Sequence, residues 1–452
     1  PLSGNGWNSK SKTPERTTVG GCKSKAPFRS HFISHFFNLI AMKSSKALIF
    51  IFITLLLDCM GLGIIIPTLP GLIQELSGTQ ASVAASTSGW LQFSYAIMAF
   101  VFAPIQGALS DRFGRRPVLL ISLAGFGLDY LLLYWAPDLK WLFVGRIAAG
   151  ICGASFTTAS AYIADISTSE NRAQNFGLIG AAFGLGFILG PVLGSLLSHW
   201  GLRTPFLLAA FVSLINLGFG IFVLPESLSV EHRKPLQIKS FNPFQVFYYL
   251  FSKHSLWPFL LVFFLMQMAG QVMPSTWTFF CIERVHWNAE WIGYSLGFVG
   301  ILVSVVQGGL IGFFKRTLGT LNSIYLGLIG NLCGMLLYSM ANQSWMLFAW
   351  MLPYALGGLI LPNVQSQLSG SMPSNEQGLL QGGLSGLIGI TSILAPLIMT
   401  HSFTWGCSGT LGFYFPGMAF AVGALFTGLA LVVTRIYLKP SVFSISENQN
   451  KP

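Results

Sequence analysis

Twelve apolar runs, each long enough to cross about 30 Å of hydrocarbon as a helix, fill this chain almost end to end. They lie at approximately 47–71, 86–109, 116–136, 141–163, 173–197, 204–224, 256–280, 290–312, 320–341, 345–368, 377–402 and 411–436. Only 9% of the 452 residues are charged, against 53% hydrophobic, where a soluble domain carries roughly 25% charged residues. Inside a bilayer no water is available to backbone N–H and C=O groups, so each run must close its own hydrogen bonds as a helix. The period-two alternation of a membrane β-barrel is absent. The expected fold class is all-α integral membrane, with twelve transmembrane helices.

The net charge of +11 does not point to nucleic acid once its distribution is followed. Eight of the 25 Lys and Arg residues fall in the first 46, ahead of the spans. With the N-terminus inside, thirteen more fall on the cytoplasmic side and three (Lys140, Arg203, Arg284) outside, while Arg146 sits within a span. By the positive-inside rule, both termini are expected in the cytoplasm. The six cysteines are scattered without a CxxC pair, so neither a disulfide framework nor a metal site is expected. His31 and His35 stand four apart, with no further ligands nearby. The first 41 residues, basic and Ser-rich, read as a cytoplasmic tail, a targeting segment, or sequence upstream of a start at Met42.

The longest polar interruption, "PESLSVEHRKPLQIKSFNPFQVFYYLFSK" (225–253), separates six runs from six. Shifting the chain by 205 residues brings Pro191 onto Pro396, Gly107 onto Gly312 and Gly114 onto Gly319. A shift of 204 brings "LLY" at 132–134 onto "LLY" at 336–338. The expected organisation is a basic tail (1–46), an N-terminal six-helix bundle (47–224), a cytoplasmic linker (225–255), a C-terminal six-helix bundle (256–436) and a tail (437–452). Paired repeats of this kind place a binding site where they meet and expose it to alternate sides by rocking. No GxxxxGK[ST] loop is present to supply ATP. Energy must then come from an ion gradient, or the cargo merely equilibrates. Nothing in the pattern of nucleophiles and bases points to an enzyme.

Three charged residues lie inside spans away from their ends: Asp58 in "FITLLLDCMGLGIIIPTLPGLI" (52–73), Asp129 and Arg146. An acid at mid-membrane costs roughly 2.5–3.5 kcal/mol on insertion scales. Burial raises a carboxyl pKa and a neighbouring Arg lowers it. An acid between those effects can exchange a proton as water access switches sides. The loop "GALSDRFGRRP" (107–117) interleaves Gly107 and Gly114 with Asp111, Arg112, Arg115 and Arg116, a pattern suited to ion pairs that break when the mouth opens. Asp165, in "ADISTSENR", can join that cluster or cap a helix. Gln267 and Gln271, four apart, share one helical face.

This loop resembles the G-x-L-x-D-R-x-G-R-R signature of the major facilitator superfamily. "LFVGRIAAGICGA" (142–154) resembles its fourth-span motif. "GFILGPVLGS" (186–195) resembles the fifth-span antiporter motif, through Gly186, Gly190, Pro191 and Gly194, with Ser195 replacing a final Gly. The likeness narrows to the tetracycline-resistance efflux proteins through "SDRFGRRPVLLISLAGFGLDY" (110–130), "FLMQMAGQV" (264–272), "ERVHWNAEWIGYSL" (283–296) and "QGLLQGGLSGL" (377–387). It implies a fold of two six-helix bundles and export of a small amphiphilic drug, as a metal chelate in the tetracycline case, in exchange for protons. Asp58, Asp129 and Arg146 match its proton-coupling positions; the 107–117 loop matches its cytoplasmic gate.

Gln267 and Gln271 also match, and with Gln307 and Asn331 are expected to orient cargo. Three positions depart from the family. Asn331 replaces a ninth-span Asp, Val303 an eighth-span His and Ala99 a second-span Gln, which makes the expected cavity less polar. The resemblance implies an inner-membrane, multi-pass monomer with no cofactor or metal, whose partners are its substrate, protons and the bilayer. Transport of a metabolite such as an amino acid or siderophore, or a receptor-like role without transport, stays open.

Overall fold

A computed structural model describes residues 46–153, 155–167, 172–233, 256–372, 376–410 and 412–438. His31 and His35, most of the linker and the C-terminal tail lie outside the described residues. The first half consists of α1 (Lys46–Ser77), α2 (Ala81–Phe113), α3 (Arg115–Trp135), α4 (Leu139–Cys152), α5 (Ser155–Ile166), α6 (Arg172–Leu197) and α7 (Thr204–Val223). The second half consists of α8 (Trp257–Gly270), α9 (Val272–Val285), α10 (Ala289–Val305), α11 (Ile311–Met340), α12 (Ser344–Ala349), α13 (Met351–Ala355), α14 (Ile360–Gly370), α15 (Gln377–Cys407) and α16 (Met418–Tyr437). No strand occurs among the described residues.

Several helices join end to end into single spans, so that α4 with α5, α8 with α9, and α12 through α14 each cross once. Among the described residues eleven helices are long and apolar enough to cross a membrane, and one of them, Ala289–Met340, runs for 52 residues. At 1.5 Å per residue that is about 78 Å, more than two bilayer cores. It breaks at Gly319, whose φ of 81° lies outside the helical region. The runs 290–312 and 320–341 are therefore two crossings divided by a turn, and twelve spans result. The last span starts later than its apolar run, at Met418.

Gly319 has a counterpart. Gly114, the residue that the 205-residue shift aligns with it, has a φ of 108°. Both mark the turn after the second span of their half, where only a residue without Cβ adopts that conformation at little cost. Pro191 and Pro396, also aligned, both sit inside long helices. The sequence repeat is thus matched by a repeat of local geometry.

The outside of the bundle is apolar, with Ile121, Leu128, Phe211, Phe222, Leu352 and Leu425 all more than half exposed or nearly so in the absence of lipid. Inside, an aromatic cluster holds the second half together. The buried Trp277 ring packs edge-on against Tyr338, centroids 5.2 Å apart, and its Nε1 donates to Ser295 Oγ at 2.8 Å. Phe280 and Phe420 add a further edge contact at 5.0 Å.

The halves meet at the end of the spans opposite the 107–117 loop. There Thr404 Oγ1 donates to Ser82 O at 2.6 Å, Ser86 Oγ lies 3.3 Å from His401 Nε2, and His199 pairs with Glu290 at 2.6 Å. Deeper, Thr278 Oγ1 donates to Ile66 O at 2.9 Å. Toward the loop the halves part: Gly184 and Gly382 both line the cavity between them, with nothing within 4 Å of where a Cβ would sit. The molecule is closed at one end and open at the other.

Candidate functional site

A charged cluster lies in the wall of the first half. Arg146 on α4 reaches one turn across to Asp129 on α3, and Nη2 makes an ion pair with Oδ2. The carboxylate is wholly buried and the guanidinium nearly so, at 0% and 7% side-chain exposure. Gly145 makes the approach possible, since a Cβ there would stand 2.7 Å from Asp129 Oδ1. Asp129 Oδ1 and Arg146 Nε have no hydrogen-bond partner among the described residues. Removing either partner of such a pair leaves the other charge buried and unmatched, which is strongly destabilising.

Asp58 on α1 is buried in the same half. The Tyr95 ring lies beneath Arg146, with Cζ 5.7 Å from its centroid, and within electrostatic reach of Asp58 as well. The Tyr130 hydroxyl packs against Gly61, one turn beyond Asp58. The structure thus brings Asp58, Asp129 and Arg146 into one cluster and adds two tyrosines. Tyr130 sits next to Asp129 in "LDY", but nothing in the sequence pattern marks Tyr95.

The glycines of 186–195 hold α1 in place. A Cβ at Gly190 would lie 2.8 Å from Gly63 Cα, and one at Gly186 would lie 2.9 Å from Leu56 O. One at Gly194 would lie 3.0 Å from Ile64 O. Pro191 packs on Gly63, and Ser195 on the other side meets Gly293 of α10. Helix α6 is therefore wedged between the helix bearing Asp58 and the second half.

At the open end Arg115 is the hub. It pairs with Asp111 one turn back, donates from Nε to Asp165 Oδ2 at 3.2 Å, and donates from Nη1 to Ser110 Oγ at 2.7 Å. Arg116 donates from Nη2 to Ile221 O at 2.6 Å. Arg112 points outward over Phe113, Cζ 5.2 Å from the ring centroid, and makes no ion pair among the described residues. Gly107 has open space around it.

Glu226, just after the sixth span, was not singled out by the sequence reading. Its carboxylate accepts from four backbone N–H groups, Arg115 at 2.8 Å, Arg116 at 3.2 Å, Ser227 at 3.0 Å and Leu228 at 3.1 Å. It thereby caps the exposed N–H groups at the start of α3 and lies directly against Gly114. Its signal in the sequence was an acid entering a polar linker opposite a basic loop.

Between the halves lies a cavity of about 920 Å³. Its polar lining includes Gln92, Tyr95 and Arg146 from the first half and Gln267, Gln271 and Gln307 from the second; Phe100, Phe156, Phe183, Phe187 and Phe279 form apolar wall. Gln271 Nε2 reaches Ser392 Oγ at 3.4 Å, and Ser275 Oγ reaches Gln92 Oε1 at 3.3 Å across the seam between halves. Two of the departing positions, Ala99 and Val303, are on the wall. Asn331 stands outside the lining. Its Nδ2 donates to Tyr354 O at 3.3 Å and its Oδ1 accepts from Thr427 Oγ1 at 3.1 Å, so it supports Tyr354 from behind.

Twelve membrane spans among the described residues, in two halves around a closed-ended cavity, have the architecture of a multi-pass membrane transporter. The chain belongs to the Major Facilitator Superfamily, whose family profile matches residues 51–342. Among its relatives it is similar to the class C tetracycline resistance protein of Escherichia coli, 41% identical over 85% of this chain and 95% of that protein. It is similar too to the class G tetracycline resistance protein of Vibrio anguillarum, 37% identical over 84% of this chain and 94% of that one. A solved peptide transporter, POT, shares the fold at a TM-score of 0.71 and 15% identity, over 89% of this chain and 96% of that one. The protein is a small-molecule transporter and not an enzyme.

Proposed function

We propose that the protein exports a small amphiphilic molecule, of the tetracycline-type drug class, in exchange for protons, by alternating access. The observation that carries this reading is the buried Asp129–Arg146 pair, whose arginine lines the cavity, with Asp58 buried in the same half and within electrostatic reach of the same Tyr95. A proton arriving at either acid changes the charge balance around Arg146, and a change of balance beside the cavity alters which conformation is favoured. The relatives' names tie drug resistance to chains of this sequence class.

With the 107–117 loop and both termini in the cytoplasm of an inner membrane, the described conformation is open inward. Arg115, Asp111, Asp165 and Glu226 then hold the cytoplasmic ends of the first half as a unit while the second half swings. The seam at Thr404, His401 and Glu290 is the closed outer gate. Each proton returning down the membrane potential contributes about 2.3 kcal/mol per 100 mV. A single copy suffices, since the cavity is complete within one chain.

The test is compound-driven proton flux in liposomes holding the purified protein and a pH-sensitive dye. Tetracycline, with and without magnesium, and a panel of amphiphilic drugs are added outside. The expected result is flux that requires one of these compounds and is lost in Asp58→Asn. Flux that survives Asp58→Asn removes that residue from coupling; labelled drug that equilibrates without proton movement removes antiport.

A further inference from the structure

We infer that the cavity is built for an uncharged aromatic amphiphile and discriminates against cations, metal–drug chelates included. This deepens the export reading and rests on it for the direction of transport alone. Among the described residues that line the cavity, Arg146 is the sole Lys, Arg, His, Asp or Glu. A cationic ligand entering this space loses its hydration and meets a guanidinium in place of a carboxylate. No acid lines the wall: Asp129 lies behind Arg146 at 0% exposure and is already engaged with it, and Asp58 is buried outside the lining.

An anion fares little better. The Arg146 charge is matched by Asp129, and its face is covered by the Tyr95 ring. A carboxylate or sulfonate would have to displace a wholly buried counter-ion to gain a partner. The lining itself therefore offers one charged group, and that group is already matched.

What it offers instead is sign-blind. Gln92, Gln267, Gln271 and Gln307 each present both a carbonyl acceptor and an amide donor. Such groups bond hydroxyls, carbonyls and amides equally and read neither charge. The phenylalanine walls add broad apolar and ring contact. Ala99 and Val303 extend that apolar surface on opposite sides of the seam.

The experiment holds the aromatic body constant and varies charge. Full-length purified protein is titrated with dansylamide (uncharged), a dansyl amide carrying a trimethylammonium tail, and dansylglycine (an anion), reading dansyl fluorescence above that of empty micelles. Dansylamide is expected to bind at least tenfold more tightly than either charged analogue. Gln271→Glu, which places an acid on the wall, is expected to close or reverse the gap between dansylamide and the cation. Gln307→Glu serves the same purpose if the first variant does not fold.

Equal or tighter binding of the cation or the anion by the unaltered protein overturns the inference, as does binding of none of the three. An unchanged preference in both folded acid variants overturns it as well. The two readings fail separately: cation binding with drug-driven proton flux intact sinks only the charge selection. Preferred binding of dansylamide without flux sinks only the export.

Discussion

The two halves of this protein follow one backbone plan yet keep their charge differently. In the first half the spans bury Asp58, Asp129 and Arg146 at depth, and the open end is tied by Arg115, Asp111, Asp165 and Glu226. In the second half the corresponding depth is filled by Gln267, Gln271, Gln307 and Asn331. Even the aligned turns differ. Gly114 lies under a carboxylate, whereas Gly319 has open space around it. A repeat preserves the fold through its turns and helix contacts while leaving side-chain charge free to specialise. On the reading above, the first half handles protons and gating, and the second contributes neutral contacts to cargo.

The sharpest way to break this contrast is to remove charge from the first half. Asp129→Asn leaves Arg146 buried without its counter-ion, and such a loss costs about 3–5 kcal/mol. The melting temperature in detergent should fall markedly, and the double variant with Arg146→Gln should recover most of it without regaining proton flux. A lone Asp129→Asn as stable as the parent would mean that the pair contributes little to the first half.

Adding charge to the second half is the converse. Asn331→Asp replaces a donor that faces Tyr354 O with a group that must hold a proton to bond there, at about 1–3 kcal/mol. Thermal stability should drop, without any gain in binding of the dansyl cation, because position 331 lies behind the wall. A gain would show that this position reaches the cargo after all.

Glu226→Ala tests whether the open end is held as a unit. Losing a cap that accepts four backbone N–H groups should cost about 1–2 kcal/mol. Limited proteolysis in the 107–117 loop should accelerate, and transport should slow with expression preserved. The smallest effect is expected where the halves touch in water. The His199 and Glu290 side chains are 51% and 35% exposed, so Glu290→Gln should change stability by less than about 1 kcal/mol. Its thermal shift should vanish in high salt; a large, salt-independent loss would make this pair a principal clasp of the closed end.

Much of this architecture was legible in the chain. Apolar runs of span length force helices because the bilayer offers no alternative partner to the backbone. The shift that pairs Gly114 with Gly319 marks the repeat, and the positive φ at both glycines is what the structure adds to it. The in-span charges announced themselves by their cost. Glu226 and Tyr95 were less visible, since an acid in a linker and a tyrosine in an apolar helix are ordinary in isolation. Asn331 aligns with a family acid, but its place beside Tyr354, itself part of the cavity lining, is visible only in the packing.

The sequence by itself determined the solvent, the number of spans, the repeat and the residues whose burial needs a reason. Those are consequences of composition and period, which act locally along the chain. The tertiary structure alone decided which charges meet, which amides face the cavity and which end is closed. Those depend on helix rotation and on contacts between residues hundreds of positions apart, such as Ser82 with Thr404. No local propensity encodes them, because a helix is equally stable whichever way its faces turn until another helix packs against it.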